Sequence, residues 1–78
     1  MIDKMIKAVK DNDINGVQKL EQELLQLPVE DAYKIITDFK GEEETPRQEY
    51  YDFAKMTPKK EIFWKVLEYS RAKRDKEN

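Results

Sequence analysis

Seventy-eight residues allow one hydrophobic core, and with 41% charged against 38% hydrophobic residues that core has little to spare. The absence of cysteine and histidine excludes disulfides, thiolate nucleophiles, imidazole bases and the common zinc ligand sets together. A net charge of −2 gives no reason for indiscriminate nucleic-acid binding, yet it hides a polarity: residues 30–52 carry eight acids against three bases, and residues 53–78 carry eight bases against four acids.

Helical spacing runs from end to end, and no stretch alternates long enough to suggest a strand. Ile2, Met5, Ile6 and Val9 form an apolar stripe on a first helix over about residues 2–10. Asp11-Asn12-Asp13 breaks it, and Asp13 is placed to cap a second helix over 13–27 with the seam Val17, Leu20, Leu24 and Leu27. So short a break predicts an antiparallel helical hairpin. Pro28 starts a third helix over 29–40, with Glu30 and Asp31 at its positive end, Ala32, Ile35, Ile36 and Phe39 as its stripe, and Gly41 as its stop. Thr45-Pro46-Arg47-Gln48 reads as a capping box opening a fourth helix over 46–55. Thr57-Pro58 repeats the device for a long fifth helix over 58–73, followed by a frayed basic tail over 73–78. The fold class is therefore all-α: a single domain over 1–78, built as a compact four- or five-helix bundle with short turns.

Asp11-Asn12-Asp13-Ile14-Asn15-Gly16 resembles the opening of an EF-hand calcium loop, but Gln22 stands where the bidentate glutamate is needed and the seam from Val17 wants to be helical already. No metal site and no cofactor is expected. Ser70 is the only serine and has no histidine to activate it, and paired carboxylates need a cleft that this chain is too short to wall in, so an enzyme is not expected. With no apolar run of the length of a leader core or a membrane span, the expectation is a soluble, cytoplasmic protein that does not engage membranes.

The contact groups lie in the charged segments. Asp38, Glu42, Glu43, Glu44, Glu49 and Asp52 surround Tyr50 and Tyr51; helical counting turns Tyr50 inward with Phe53 and Ala54 and Tyr51 toward the rim. In outline this is similar to the immunity proteins that inhibit nuclease bacteriocins, small acidic helical proteins with a tyrosine pair beside carboxylates. The resemblance covers residues 30–52 and departs where Asp52 and Phe53 continue the helix instead of a proline ending it. It is an analogy of design and transfers no residue roles. On the last helix Ile62, Phe63, Val66, Leu67 and Tyr69 define an inward arc. Trp64 falls about 140° from the centre of that arc, between Lys60 and Arg71, which makes it either an exposed hot spot or, if the helix is central, core.

The expected function is a small non-enzymatic protein–protein interaction module, a stoichiometric inhibitor or adaptor that presents an acidic and aromatic surface to a basic protein partner. Its contact residues are Asp38, Glu42, Glu43, Glu44, Glu49, Tyr51, Asp52, Trp64 and Arg71. Two alternatives stand beside it: a nucleic-acid-associated protein using Lys65, Arg71, Lys73 and Arg74, and a homodimer using Leu25 and Trp64, which lie off their helices' seams.

Overall fold

The computed structural model describes residues 1–77. Five helices follow in order, α1 (Ile2–Lys10), α2 (Ile14–Gln26), α3 (Val29–Lys40), α4 (Gln48–Met56) and α5 (Glu61–Glu77), and the only strand-like pairing among the described residues is an isolated bridge between Gly41 and Pro46. The expected stripes meet in one core: Met5, Ala8 and Val9 from α1, Val17, Leu20 and Leu24 from α2, Ala32, Ile36 and Phe39 from α3, Phe53 from α4, and Ile62 and Val66 from α5. Phe39 and Phe53 stand edge to face at its centre, with ring centroids 5.5 Å apart.

The α1–α2 turn forms as its residues dictate. Asp13 caps α2, its Oδ1 accepting from Gly16 N at 3.0 Å, and a Cβ at Gly16 would strike that carboxylate. The backbone is already helical from Ile14, so the segment is a capped hairpin turn, not an open calcium loop.

The two threonine–proline corners are built differently from the capping boxes that the sequence suggests. Helix α4 begins at Gln48, not at residue 46. Pro46 is spent on the bridge to Gly41, and Thr45 turns its hydroxyl back to Glu42 Oε2 at 3.0 Å. Helix α5 begins at Glu61, not at residue 58. Thr57 is fully buried and ends α4 instead, its Oγ1 donating to the Ala54 carbonyl at 2.9 Å. The amide of Ile62 in the first turn of α5 points at Glu21 Oε2 of α2, 3.5 Å away, so a buried side chain from another helix takes the capping role. Helix α5 runs through Glu77, beyond the expected end at residue 73, and Asn78 lies outside the described residues.

Helices α3 and α5 make the most extensive helix contact and run antiparallel. Tyr33 near the start of α3 meets Tyr69 near the end of α5 at 5.2 Å, and Lys73 Nζ lies 5.8 Å over the Tyr33 ring. This pairing sets the acidic loop after α3 beside the first half of α5, away from the basic end of that helix.

Candidate functional site

The loop over 41–47 carries the three consecutive glutamates, and it is pinned at its base. Gly41 adopts φ +82 and ψ −135, a region that glycine alone enters without strain. Arg47 N donates to the Lys40 carbonyl at 2.8 Å and Arg47 Nε donates to the Phe39 carbonyl at 2.9 Å, so one residue satisfies two of the carbonyls that α3 leaves open. Glu42, Glu43 and Glu44 are all exposed on this closed loop, as is Asp38 on the last turns of α3.

Beside the loop, α4 presents Tyr51 exposed and Glu49 and Asp52 half-buried, with Asp52 Oδ1 accepting from Gln48 Nε2 at 3.2 Å. Tyr50 is half-buried, not core. Its ring is edge-on to Tyr51 and to Phe63, each at 5.5 Å, and it carries Lys40 Nζ at 5.9 Å over its face. Burial first, and then the neighbouring Tyr51, hold the Tyr50 hydroxyl above the ordinary tyrosine range.

This aromatic row leads onto α5. Trp64 is 61% exposed, which decides between the two placements its sequence leaves open, and Leu67, expected to face inward, is 39% exposed. Ile62 and Val66 alone face the core squarely, because α3 covers a narrower stripe of α5 than the spacing of apolar residues suggests. Two shallow cavities share Tyr50, Phe63 and Leu67: one of about 180 Å³ whose wall includes Lys40 and Glu43, and one of about 240 Å³ completed by Lys60 and Trp64. Glu43 and Trp64 thus line neighbouring depressions that share Tyr50, Phe63 and Leu67, and Tyr51 touches this row only through the Tyr50 ring. Of the expected contact residues only Glu43 and Trp64 line these cavities; Asp38, Glu42, Glu44, Glu49, Tyr51, Asp52 and Arg71, the last exposed two turns beyond Trp64, line neither.

Sequence reasoning passed over four contributors to this surface. Phe63 and Leu67 line the depressions themselves, whereas Glu61 and Glu68, both exposed one turn before and one turn after Trp64, lie outside them, Glu61 lining a separate cavity against α2. Counting by threes and fours from Trp64 finds these carboxylates as readily as it finds Lys60.

The charged groups that are engaged within the molecule find neutral partners. Lys65 Nζ donates to the Leu25 carbonyl at 3.1 Å, Lys40 and Lys73 lie over tyrosine rings, and Glu42, Asp52, Asp13 and Glu21 accept from a hydroxyl, an amide side chain and two backbone amides. None of these contacts joins an acid to a base. Comparison with known proteins returns no match: no family model, curated relative or solved structure is significantly similar to this chain.

Proposed function

We propose that this chain is a cytoplasmic, non-enzymatic binding module, an inhibitor or adaptor that offers the end of the bundle formed by the 41–47 loop, α4 and the first half of α5 to a basic protein. The observation that carries this reading is the pairing of a large aromatic surface with an unneutralised acidic one. Trp64, 61% exposed, lines one depression and Glu43 lines its neighbour, the two sharing Tyr50, Phe63 and Leu67, while Tyr51 at 45% exposure and Glu42, Glu44, Glu49 and Asp52 lie on the adjoining loop and α4. Exposed tryptophan and tyrosine supply contact area at low conformational cost, and a carboxylate ring draws a basic partner in and orients it. No helix among the described residues is long and apolar enough to cross a membrane, in keeping with a partner met in solution.

Two competing readings have less behind them. Of the four cations that would contact nucleic acid, Lys65 is tied to the Leu25 carbonyl and Lys73 lies over Tyr33, leaving Arg71 and Arg74. Of the two residues proposed for a homodimer, Leu25 packs against the core. The test is recovery of a basic protein by the tagged chain from its native cell, compared with the Glu42→Ala, Glu43→Ala, Glu44→Ala, Asp52→Ala variant. The variant is expected to lose the partner; retention of affinity within about twofold overturns the reading.

A further inference from the structure

Trp64 has a carboxylate on each side along its helix. Glu61 and Glu68 stand at i−3 and i+4, the two spacings that place side chains on one helix face with Cβ atoms about 5–6 Å apart. All three are exposed, and none of the side-chain hydrogen bonds among the described residues involves them. The one lysine between them in sequence, Lys65, points away, its Nζ on the Leu25 carbonyl. Elsewhere in the molecule a tyrosine ring face that lies near a lysine holds its ammonium, Lys40 over Tyr50 at 5.9 Å and Lys73 over Tyr33 at 5.8 Å. The indole of Trp64 is the strongest cation acceptor of the three ring types and carries no such internal cation.

We infer that Trp64, Glu61 and Glu68 form a receiving site for an arginine side chain of the basic partner, the guanidinium lying on the indole with its N–H groups turned to the two carboxylates. The inference rests on the reading of this end of the bundle as a surface for a basic protein, and it names the group that is read there. Arginine fits better than lysine because a planar guanidinium stacks on the indole and keeps its edge donors free for carboxylates, whereas an ammonium offers a point charge only. Lys60 shares the depression with Trp64 while Glu61 lines the cavity on the α2 side, so the guanidinium is received on the side of the indole that faces away from Lys60.

Because Trp64 is the only tryptophan, intrinsic fluorescence reports this site directly. The probe is an oligo-arginine peptide, titrated at low and at physiological salt with calorimetry in parallel and oligo-lysine as comparator. Saturable change in Trp64 emission is expected, with tighter binding for oligo-arginine. Trp64→Ala and the Glu61→Gln, Glu68→Gln pair should each weaken it by about three- to fivefold, and Trp64→Phe by less. Since all three side chains are exposed, these variants keep the fold, which circular dichroism verifies. If the peptide binds wild type, Trp64→Ala and the glutamine pair alike while Glu42→Gln, Glu43→Gln, Glu44→Gln weakens it, the arginine site is wrong and the acidic surface stands. If the Trp64 variants weaken binding and the loop variant does not, the site stands and the loop reading falls. If oligo-arginine binds no form of the protein, both fall.

Discussion

Glu21 is the residue on which the position of α5 turns. The residue is only 5% exposed, and its carboxylate's hydrogen-bond partner is the Ile62 amide at the start of α5. A negative group at a helix N-terminus satisfies an open donor and opposes the positive end of the helix dipole. Glu21→Ala should therefore destabilise the fold by about 1 kcal/mol, and Glu21→Gln, which keeps an acceptor, by less, as read from urea denaturation. This contact joins residues 41 apart in sequence, so no local pattern announces it. The Asp13 cap, which spans three residues, is legible at once. Tyr50 gives a second outcome at this scale. Burial disfavours its phenolate in the folded chain, so as pH rises past about 10 the unfolded chain ionises first, binds fewer protons than the folded one, and stability falls. The contribution is present below the ordinary tyrosine pKa and is lost upward through the raised one. Tyr50→Phe should flatten the alkaline limb of a stability profile between about pH 9 and 11 relative to wild type.

The helices themselves are written plainly in the sequence because each has a stripe broad enough to bury, and Val17, Leu20, Leu24, Ile36 and Phe39 are all where periodicity puts them. The joints are less legible. A threonine–proline pair reads as a helix start, yet Pro46 pairs back with Gly41 to close a loop, Thr57 bonds back to Ala54 to close α4, and the cap that α5 uses comes from the remote Glu21. The acidic loop is an element in its own right, held by Gly41, Arg47 and the bridge to Pro46. Nothing lies within 4 Å of a Cβ built on Gly41, so Gly41→Ala meets no clash and suffers only the backbone penalty of its positive φ, about 1–3 kcal/mol. Arg47→Ala removes the Nε contact to the Phe39 carbonyl but keeps the backbone bond to Lys40. The expected pattern is a global loss of stability in Gly41→Ala. In Arg47→Ala the cost should be only about 1 kcal/mol, with faster amide exchange confined to the loop and weaker binding of a basic peptide. Equal exchange in wild type and Arg47→Ala would show that the guanidinium does not hold the loop.

At the scale of the molecule, charge order along the chain becomes charge order in space through one packing choice, the antiparallel run of α5 along α3. The sequence shows the two charged blocks but not that choice, in which Tyr33 near the start of α3 meets Tyr69 near the end of α5. Trp64 illustrates the same limit: its angle on α5 is computable from spacing, whereas its exposure depends on how wide a stripe α3 and α4 cover. With the acidic loop beside the first half of α5 and the basic block at that helix's end, the two should act independently whenever the screening length is short against their separation. The Debye length is about 8 Å at physiological ionic strength and about 30 Å at 0.01 M. The variant Arg74→Gln, Lys76→Gln removes exposed cations from the end of α5 and touches neither the 41–47 loop nor the Trp64 depression. At physiological salt it should bind an oligo-arginine peptide within about twofold of wild type. At about 0.01 M salt, where the far pole is felt across the molecule, the same variant should associate several-fold faster than wild type with dissociation unchanged, since the field of the whole protein acts on encounter more than on the formed contact. Stopped-flow fluorescence of Trp64 measures both rates, and a loss of affinity at physiological salt would place the basic end of α5 inside the binding surface.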